Sequence, residues 1–295
     1  DASKAAETPG KDDSERLLQL RRAVVGDALE GLAQVLRRKG RQESADRFLA
    51  EVESVYRDFV EKYPQATLLL AAFLARRGRT DEAMELFRRH WPESDSNIMT
   101  AAATVLLSRV YNDQSRAAAL EATLLEAVER LERPQGLLLT LADFYGLQGR
   151  VDEAAAVYEE VLRRDPRNVL ALNNLAVVLA LGGKNLDRAL QCIDQALAVS
   201  GPVANILDSK AIILIARNNP QEALRIVSDA IADQPTGMLY FRQAQALLAL
   251  KQNAAAKKAL EQAYAMGFSR DSLHPLERES FDRLEALLGK PEPKS

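Results

Sequence analysis

The chain has 295 residues, 47% of them hydrophobic but only 5% aromatic, with 14 Gly and 11 Pro, an alphabet dominated by helix-forming Ala, Leu, Glu and Arg. Lys and Arg number 39 against 42 Asp and Glu, a formal charge of -3 that disfavours nucleic acid as a partner, and the longest apolar stretches, such as Leu175 to Leu181, fall far short of the ~20 residues of a membrane span. Cys192 is the only cysteine, which excludes an intrachain disulfide and cysteine-based metal sites.

Residues 1–12 are small, polar and charged, too poor in apolar groups to offset the entropy of ordering, and are expected to be a disordered lead-in. The chain opens on Asp1, with neither a methionine nor an apolar leader. It therefore reads as a trimmed or mature form, an expectation that leaves room for a targeting segment cut away, with the cytoplasm the favoured compartment. From Ser14, apolar residues at three- and four-residue spacings (Leu17, Leu18, Val24, Val25, Leu29, Leu32, Leu36) predict a long first helix that Gly40 ends.

Helical hairpins then follow at intervals of about 34 residues. Leu29, Leu32, Ala33 and Leu36 with Ala45 and Leu49 mark the first (26–63), and Leu70, Ala71 and Leu74 with Ala83 and Phe87 the second (64–93). Trp91-Pro92 predicts an irregular connection into a degenerate third hairpin (96–131), which is broken near Tyr111-Asn112-Asp113 and lacks a turn glycine. The clearest copy spans 135–168. Leu138, Leu141, Ala142 and Tyr145 share one face, Gly149-Arg150-Val151-Asp152 makes the turn, and Ala154, Tyr158 and Val161 share a second face before Pro166 breaks the helix. The same pattern returns in 169–203 (Leu172, Leu175, Ala176, Leu179; Ala189, Ile193, Ala196), in 204–236 (Leu207, Ala211, Leu214; Ala223, Val227, Ala230) and in 237–268 (Tyr240, Ala244, Leu247; Ala256, Leu260, Ala263). Within 272–289, Pro275 can open a last helix with Leu276, Phe281, Leu284 and Leu288 on one face and Glu277, Arg278, Glu279, Asp282 and Arg283 elsewhere, a capping helix; 290–295 reads as an unstructured tail.

This recurring order of Leu, Ala, Tyr or Leu, then Ala, an apolar residue and Pro resembles the tetratricopeptide-repeat family, over 13–268 and about seven helix pairs. The resemblance implies an all-α fold, a right-handed superhelical solenoid of antiparallel helix pairs closed by the capping helix. The physical reason is visible in the residues themselves. Ala142 and Ala154 are small enough to let two helix backbones approach where they cross, and the apolar face left on each pair is buried on the next pair.

No constellation for chemistry emerges. His90 and His274 lie in different repeats, no metal-binding spacing occurs, and neither cofactor nor metal is expected. The Gly182-Gly183-Lys184 turn lacks a phosphate loop's first glycine (Val178 stands there), has Asn185 in place of Ser or Thr, and follows a helix. Asp81, Glu82, Asp152, Glu153 and Glu222 recur at equivalent helix starts, where they complement the helix dipole. Cys192 lies on an apolar stripe and reads as a core residue.

The family resemblance, carried over by position, implies a groove lined by the first helices of successive pairs: Leu139, Asp143 and Gly146, then Asn173, Asn174 and Val177, then Asn205, Asp208, Ser209 and Ile212, then Phe241, Arg242 and Gln245. Asn174 stands where family members use an asparagine to hold a peptide backbone. Leu139, Asp143, Asn205 and Ser209 replace the basic and amide set that clamps a C-terminal carboxylate, so a chaperone-tail receptor is not implied. Leu139, Val177, Ile212 and Phe241 form an apolar strip suited to an amphipathic helix or a mixed peptide with basic character. The expected function is a non-catalytic scaffold or adaptor that binds a protein or peptide. The alternatives are a regulatory subunit or interaction segment of a larger bacterial protein and, less favoured, an RNA-binding helical repeat. An exposed first helix could pair with its copy in another chain, which leaves the oligomeric state open.

Overall fold

A computed structural model describes residues 29–289. The expected lead-in, the predicted first helix up to residue 28 and the tail from 290 lie outside the described residues. Those described are helical, with no strand among them. Following helical residues 29–38 (α1) come α2 (Gln42–Lys62), α3 (Thr67–Arg76), α4 (Thr80–His90), α5 (Ser96–Val110), α6 (Gln114–Arg130), α7 (Gln135–Leu147) and α8 (Val151–Arg164). Then follow α9 (Val169–Leu181), α10 (Leu186–Ser200), α11 (Ala204–Ala216), α12 (Pro220–Asp233), α13 (Gly237–Ala249), α14 (Asn253–Ala265) and α15 (Pro275–Leu288).

The chain divides into two compact units, 1–137 and 138–295, with the boundary inside α7. In the first, α1 to α6 form three consecutive pairs. The irregular connection expected at Trp91-Pro92 is a 3-10 turn, Trp91–Glu93, and the degenerate hairpin is two full helices joined through Tyr111, Asn112 and Asp113. Asp113 replaces the missing turn glycine with a cap: its carboxylate accepts from the Arg116 backbone N–H at 3.0 Å.

In the second unit, α7/α8, α9/α10, α11/α12 and α13/α14 are the pairs. The first helix of a pair is apolar nearly all round because it is covered on several sides; α9 packs on α8, α10 and α11. One alanine from each helix meets at the crossing. Ala142 and Ala154, Ala176 and Ala189, Ala211 and Ala223, and Ala244 and Ala256 are all wholly buried, as are Ala71 and Ala83 in the first unit. No larger side chain fits such a crossing without moving a backbone.

The turn inside each of these pairs repeats one hydrogen bond. In α7/α8 the Arg150 N–H donates to the Tyr145 carbonyl at 2.8 Å around Gly149, whose φ is +73°. The later turns keep that bond with a non-glycine residue in the left-handed position: Asn219 N–H to Leu214 O around Asn218, and Gln252 N–H to Leu247 O around Lys251. Glycine is thus the favoured but dispensable residue of the turn, which is why the repeats stay regular where the sequence signature fades.

Candidate functional site

All the residues expected to line the groove, from Leu139 to Gln245, belong to the second unit. On each first helix they occupy positions i, i+3, i+4 and i+7, so that each set shares one face. The stripe on α9 begins one step earlier than expected, at Leu170, which is 52% exposed and sits in line with Asn173, Asn174 and Val177. On α13 the same rule adds Met238 ahead of Phe241, Arg242 and Gln245.

Two of these sites are already engaged within the chain. Asn174 donates to Asp143 Oδ1 at 3.0 Å and accepts from the Asn173 amide at 3.0 Å, while the buried Tyr158 hydroxyl donates to the same Asp143 oxygen. Burial pushes the Asp143 carboxyl above the usual carboxylate range, against the two donors that favour its charge. Asn174 therefore spends a donor on fixing α9 to α7 and its oxygen on the adjacent Asn173, and a peptide backbone would have to compete for both. Asn173 Oδ1 is buried with no hydrogen-bond partner among the described residues.

The second engaged site is Arg242. The sequence pattern set it facing an open trough, but its side chain is only 2% exposed. Its Nε donates to Asp208 Oδ1 at 2.9 Å, its Nη1 to Gln245 Oε1 at 2.9 Å, and its Nη2 to Glu277 Oε2 at 3.1 Å. Burial opposes the guanidinium charge, but the Asp208 and Glu277 carboxylates more than offset this and raise its pKa. Asp208, in turn, is pushed upward by burial, with Arg242 pulling the other way.

Glu277 comes from α15, and its burial corrects the expectation that it lies on the solvent side of the capping helix. It sits at i with Phe281, Leu284 and Leu288 at i+4, i+7 and i+11, and all four are buried. The start of α15 reaches further still. A Cβ built on Gly146 would lie 3.5 Å from Val178 Cγ2 and 3.8 Å from His274 Nε2, and one on Gly149 would lie 3.4 Å from Leu276 Cδ2. Residues 274–277 thus touch both the end of α7 and the middle of α13, so the first-helix face of this unit is a trough with the beginning of α15 inside it.

The result is a trough of two halves. Phe241 is wholly buried, stacked on Phe268 with ring centroids 4.7 Å apart and edge-on to Phe281 at 5.7 Å; Ser209 and Ile212 are buried as well. Leu139, Asn173 and Val177 are half-buried and Asn205 is exposed, which with Leu170 leaves the α9 and α11 starts open. Asn205 uses its Oδ1 only on a backbone N–H, that of Ile206 at 3.0 Å. The His274, Leu276 and Glu277 contributions escaped sequence reading, although the spacing of Glu277 with Phe281 was a usable signal.

Away from the trough, Cys192 is buried and burial pushes its thiol up to about 11, as suits a core cysteine. Among the described residues no group of three or more His, Cys, Asp or Glu could hold a metal ion, and no helix is long and apolar enough to cross a membrane.

Similarity to other proteins agrees with this geometry. No curated protein sequence matches the chain. A thermophilic tetratricopeptide protein of Thermus thermophilus is 17% identical, covering 64% of this chain and 98% of its own at a TM-score of 0.51. A chain of the APC/C hetero-tetramer Cut9-Hcn1 is 15% identical, covering 81% of this chain and 48% of its own at 0.52, so the present chain spans about half of it. A tetratricopeptide repeat protein of Parabacteroides merdae is 18% identical over 79% of this chain and 98% of its own, with a TM-score of 0.48. At such identities the likeness is one of fold. Membership follows from the sequence profile described as "Tetratricopeptide repeat", which matches residues 49–98, 139–205 and 209–274, more than half the chain. With the alanine crossings and repeated turns in place over those same segments, the chain belongs to the tetratricopeptide-repeat family.

Proposed function

We propose that the protein is a non-catalytic scaffold or adaptor that holds a peptide or helix of another protein along the trough of its second unit. Tetratricopeptide proteins in general bind proteins or peptides, and the finer assignment to this trough rests on one observation. Leu170, a large apolar side chain, is 52% exposed on the same stripe as the half-buried Asn173 and Val177. An apolar side chain left open to solvent in line with half-buried neighbours is what an apolar side chain of a bound peptide would cover. Asn205, exposed on the neighbouring helix, offers a further amide.

A photo-crosslinking amino acid placed at position 170 or 205, with position 163 on the exposed side of α8 as control, tests the reading on peptides selected from a displayed library. Crosslinks confined to 170 and 205, and binding lost in Leu170→Glu and Asn205→Arg chains of unchanged melting temperature, are the expected result. Selected peptides that crosslink equally at 163, or bind both variants undiminished, would place the binding surface elsewhere.

A further inference from the structure

The beginning of α15 occupies the trough with a particular chemistry, and that chemistry describes what the trough accepts. Arg242 is buried between two acids, Asp208 from α11 and Glu277 from α15. Asp208 belongs to the trough wall and stays when α15 leaves, but Glu277 departs with the helix. Any segment that takes the place of α15 must therefore bring an anion to the second edge of the guanidinium, because a buried cation left half-paired is strongly disfavoured. One turn beyond Glu277, Phe281 lies edge-on to Phe241 and to Phe268, with centroids 5.7 Å away in each case. The two anchors are four residues apart on one helix face, the spacing at which side chains align.

Around these two anchors α15 rests on apolar contact: Leu273, just before it, is 3% exposed and shares the apolar cluster of Phe268, Leu284 and Leu288. His274 and Leu276 lie against Gly146 and Gly149, which offer no side chain to grip, and the connection at Ser269, Arg270, Asp271 and Ser272 is exposed. The far end is tied separately, by Arg270 to Asp282 at 2.8 Å and by the Tyr264 hydroxyl to Glu285.

We propose that the partner of the trough is an amphipathic helix carrying a carboxylate and, four residues later, an aromatic side chain, and that α15 is a tethered stand-in which this partner displaces. The proposal rests on the reading of the trough as the binding surface and adds the chemistry of its ligand. Because α15 is joined to the trough by a short connection, its effective concentration there is high, and a free helix competes poorly until α15 is loosened.

The probe is a synthetic labelled peptide of residues 272–289, titrated by fluorescence anisotropy into the full chain and into the Glu277→Gln/Phe281→Ala chain. The double variant is expected to bind at least tenfold more tightly than the unaltered chain. A peptide with Gln at the position of Glu277, or Ala at that of Phe281, is expected to lose at least that factor. Circular dichroism verifies folding of the variant, and a chain with a protease site inserted between Ser269 and Asp271, cut after folding, provides an independent route to a loosened α15. Equal binding of the altered peptides to either opened chain overturns the acid-and-aromatic rule and leaves the broader reading intact. No peptide binding by either opened chain overturns the proposal as well, and so does exchange of α15 between two copies, seen by light scattering as a dimer that excludes the free peptide. Failure of the broader reading shows differently, as library peptides crosslinking outside positions 170 and 205.

Discussion

Asp143 gathers two donors, the Tyr158 hydroxyl and the Asn174 amide, on a single carboxylate oxygen. Its ionised form is the costly one, since burial raises its pKa; with a folded value above the unfolded one, Asp143 contributes stability at low pH that is lost as pH rises through the folded value. Asparagine keeps an oxygen with two lone pairs and carries no charge. Asp143→Asn should therefore match or slightly exceed the parent in urea denaturation, while Asp143→Ala, which strands two donors, should lose about 1–3 kcal/mol. An Asn variant as unstable as the Ala one would mean that the charge itself holds α9 to α7. A second contrast lies in the turn of the α9/α10 pair. A Cβ on Gly182 would come within 2.7 Å of Val151 Cγ2 and 3.1 Å of the Val178 carbonyl oxygen, whereas Gly183 at φ +64° has open space around it. Gly182→Ala should cost about 1–3 kcal/mol through overpacking, and Gly183→Ala about 1–2 kcal/mol through the left-handed backbone alone. Thermal melts would separate the two through their packing partner: Val151→Ala rescues the first variant and leaves the second unchanged.

Among the elements, α15 stands apart because its start is held by groups that titrate. His274 caps the helix: its Nδ1 accepts from the Leu276 N–H at 3.2 Å, which only the neutral ring can do. Burial lowers its pKa below the ordinary 6.5, with Glu277 opposing and Arg278 reinforcing the shift. Gly146, which faces the ring from α7, carries no charge. A histidine whose pKa is depressed on docking supports the docked state above its ordinary value, and that support is lost as pH falls from there through the lowered value. Hydrogen exchange, corrected for intrinsic rates, should show protection of 275–288 decreasing between pH 7 and pH 5, by up to about tenfold for each unit of depression. His274→Asn, which keeps a capping acceptor without a proton equilibrium, should flatten that dependence. A pH profile equally steep in the Asn variant would assign the effect to other groups.

At the scale of the molecule, the hairpins were legible because small residues at the crossings and apolar residues on the flanks repeat with the helical period: the crossing alanines are wholly buried in every pair with a clear signature, and the flank residues are buried apart from Leu207 and Tyr240, which are half-buried. Glu277 was not, although its spacing with Phe281, Leu284 and Leu288 is regular: an acid on a stripe is ordinarily at the solvent edge, and only its pairing with Arg242, 35 residues away, explains its burial. Asn174 was likewise legible as a position but not as a bond, since Asp143 and Tyr158 reach it from the preceding pair. Of the acids that complement the dipole at the starts of second helices, two also reach the following pair, Asp81 to Arg116 and Asp152 to Lys184, and Asp187, which the sequence pattern did not single out, does the same with Arg217. Periodicity reports what each helix repeats, whereas these contacts depend on how one pair sits on the next. Their energetic weights differ greatly. Asp187 is 84% exposed in its pair with Arg217, and exposed pairs contribute ~0–1 kcal/mol, whereas a leucine forced into an alanine crossing costs about 1–3 kcal/mol. Stability in such a stack is a sum of pair and neighbour contributions, so damage is greatest where it is made and fades with distance along the chain. Asp187→Ala should leave the urea midpoint almost unmoved. Ala211→Leu, at the crossing of α11 and α12, should strip exchange protection from 204–233 first and from the adjoining pairs next, while residues 29–137, a separate compact unit, keep most of theirs. Simultaneous loss of protection in both units at one denaturant concentration would instead make the chain a single cooperative body and remove the neighbour-by-neighbour account of what holds it together.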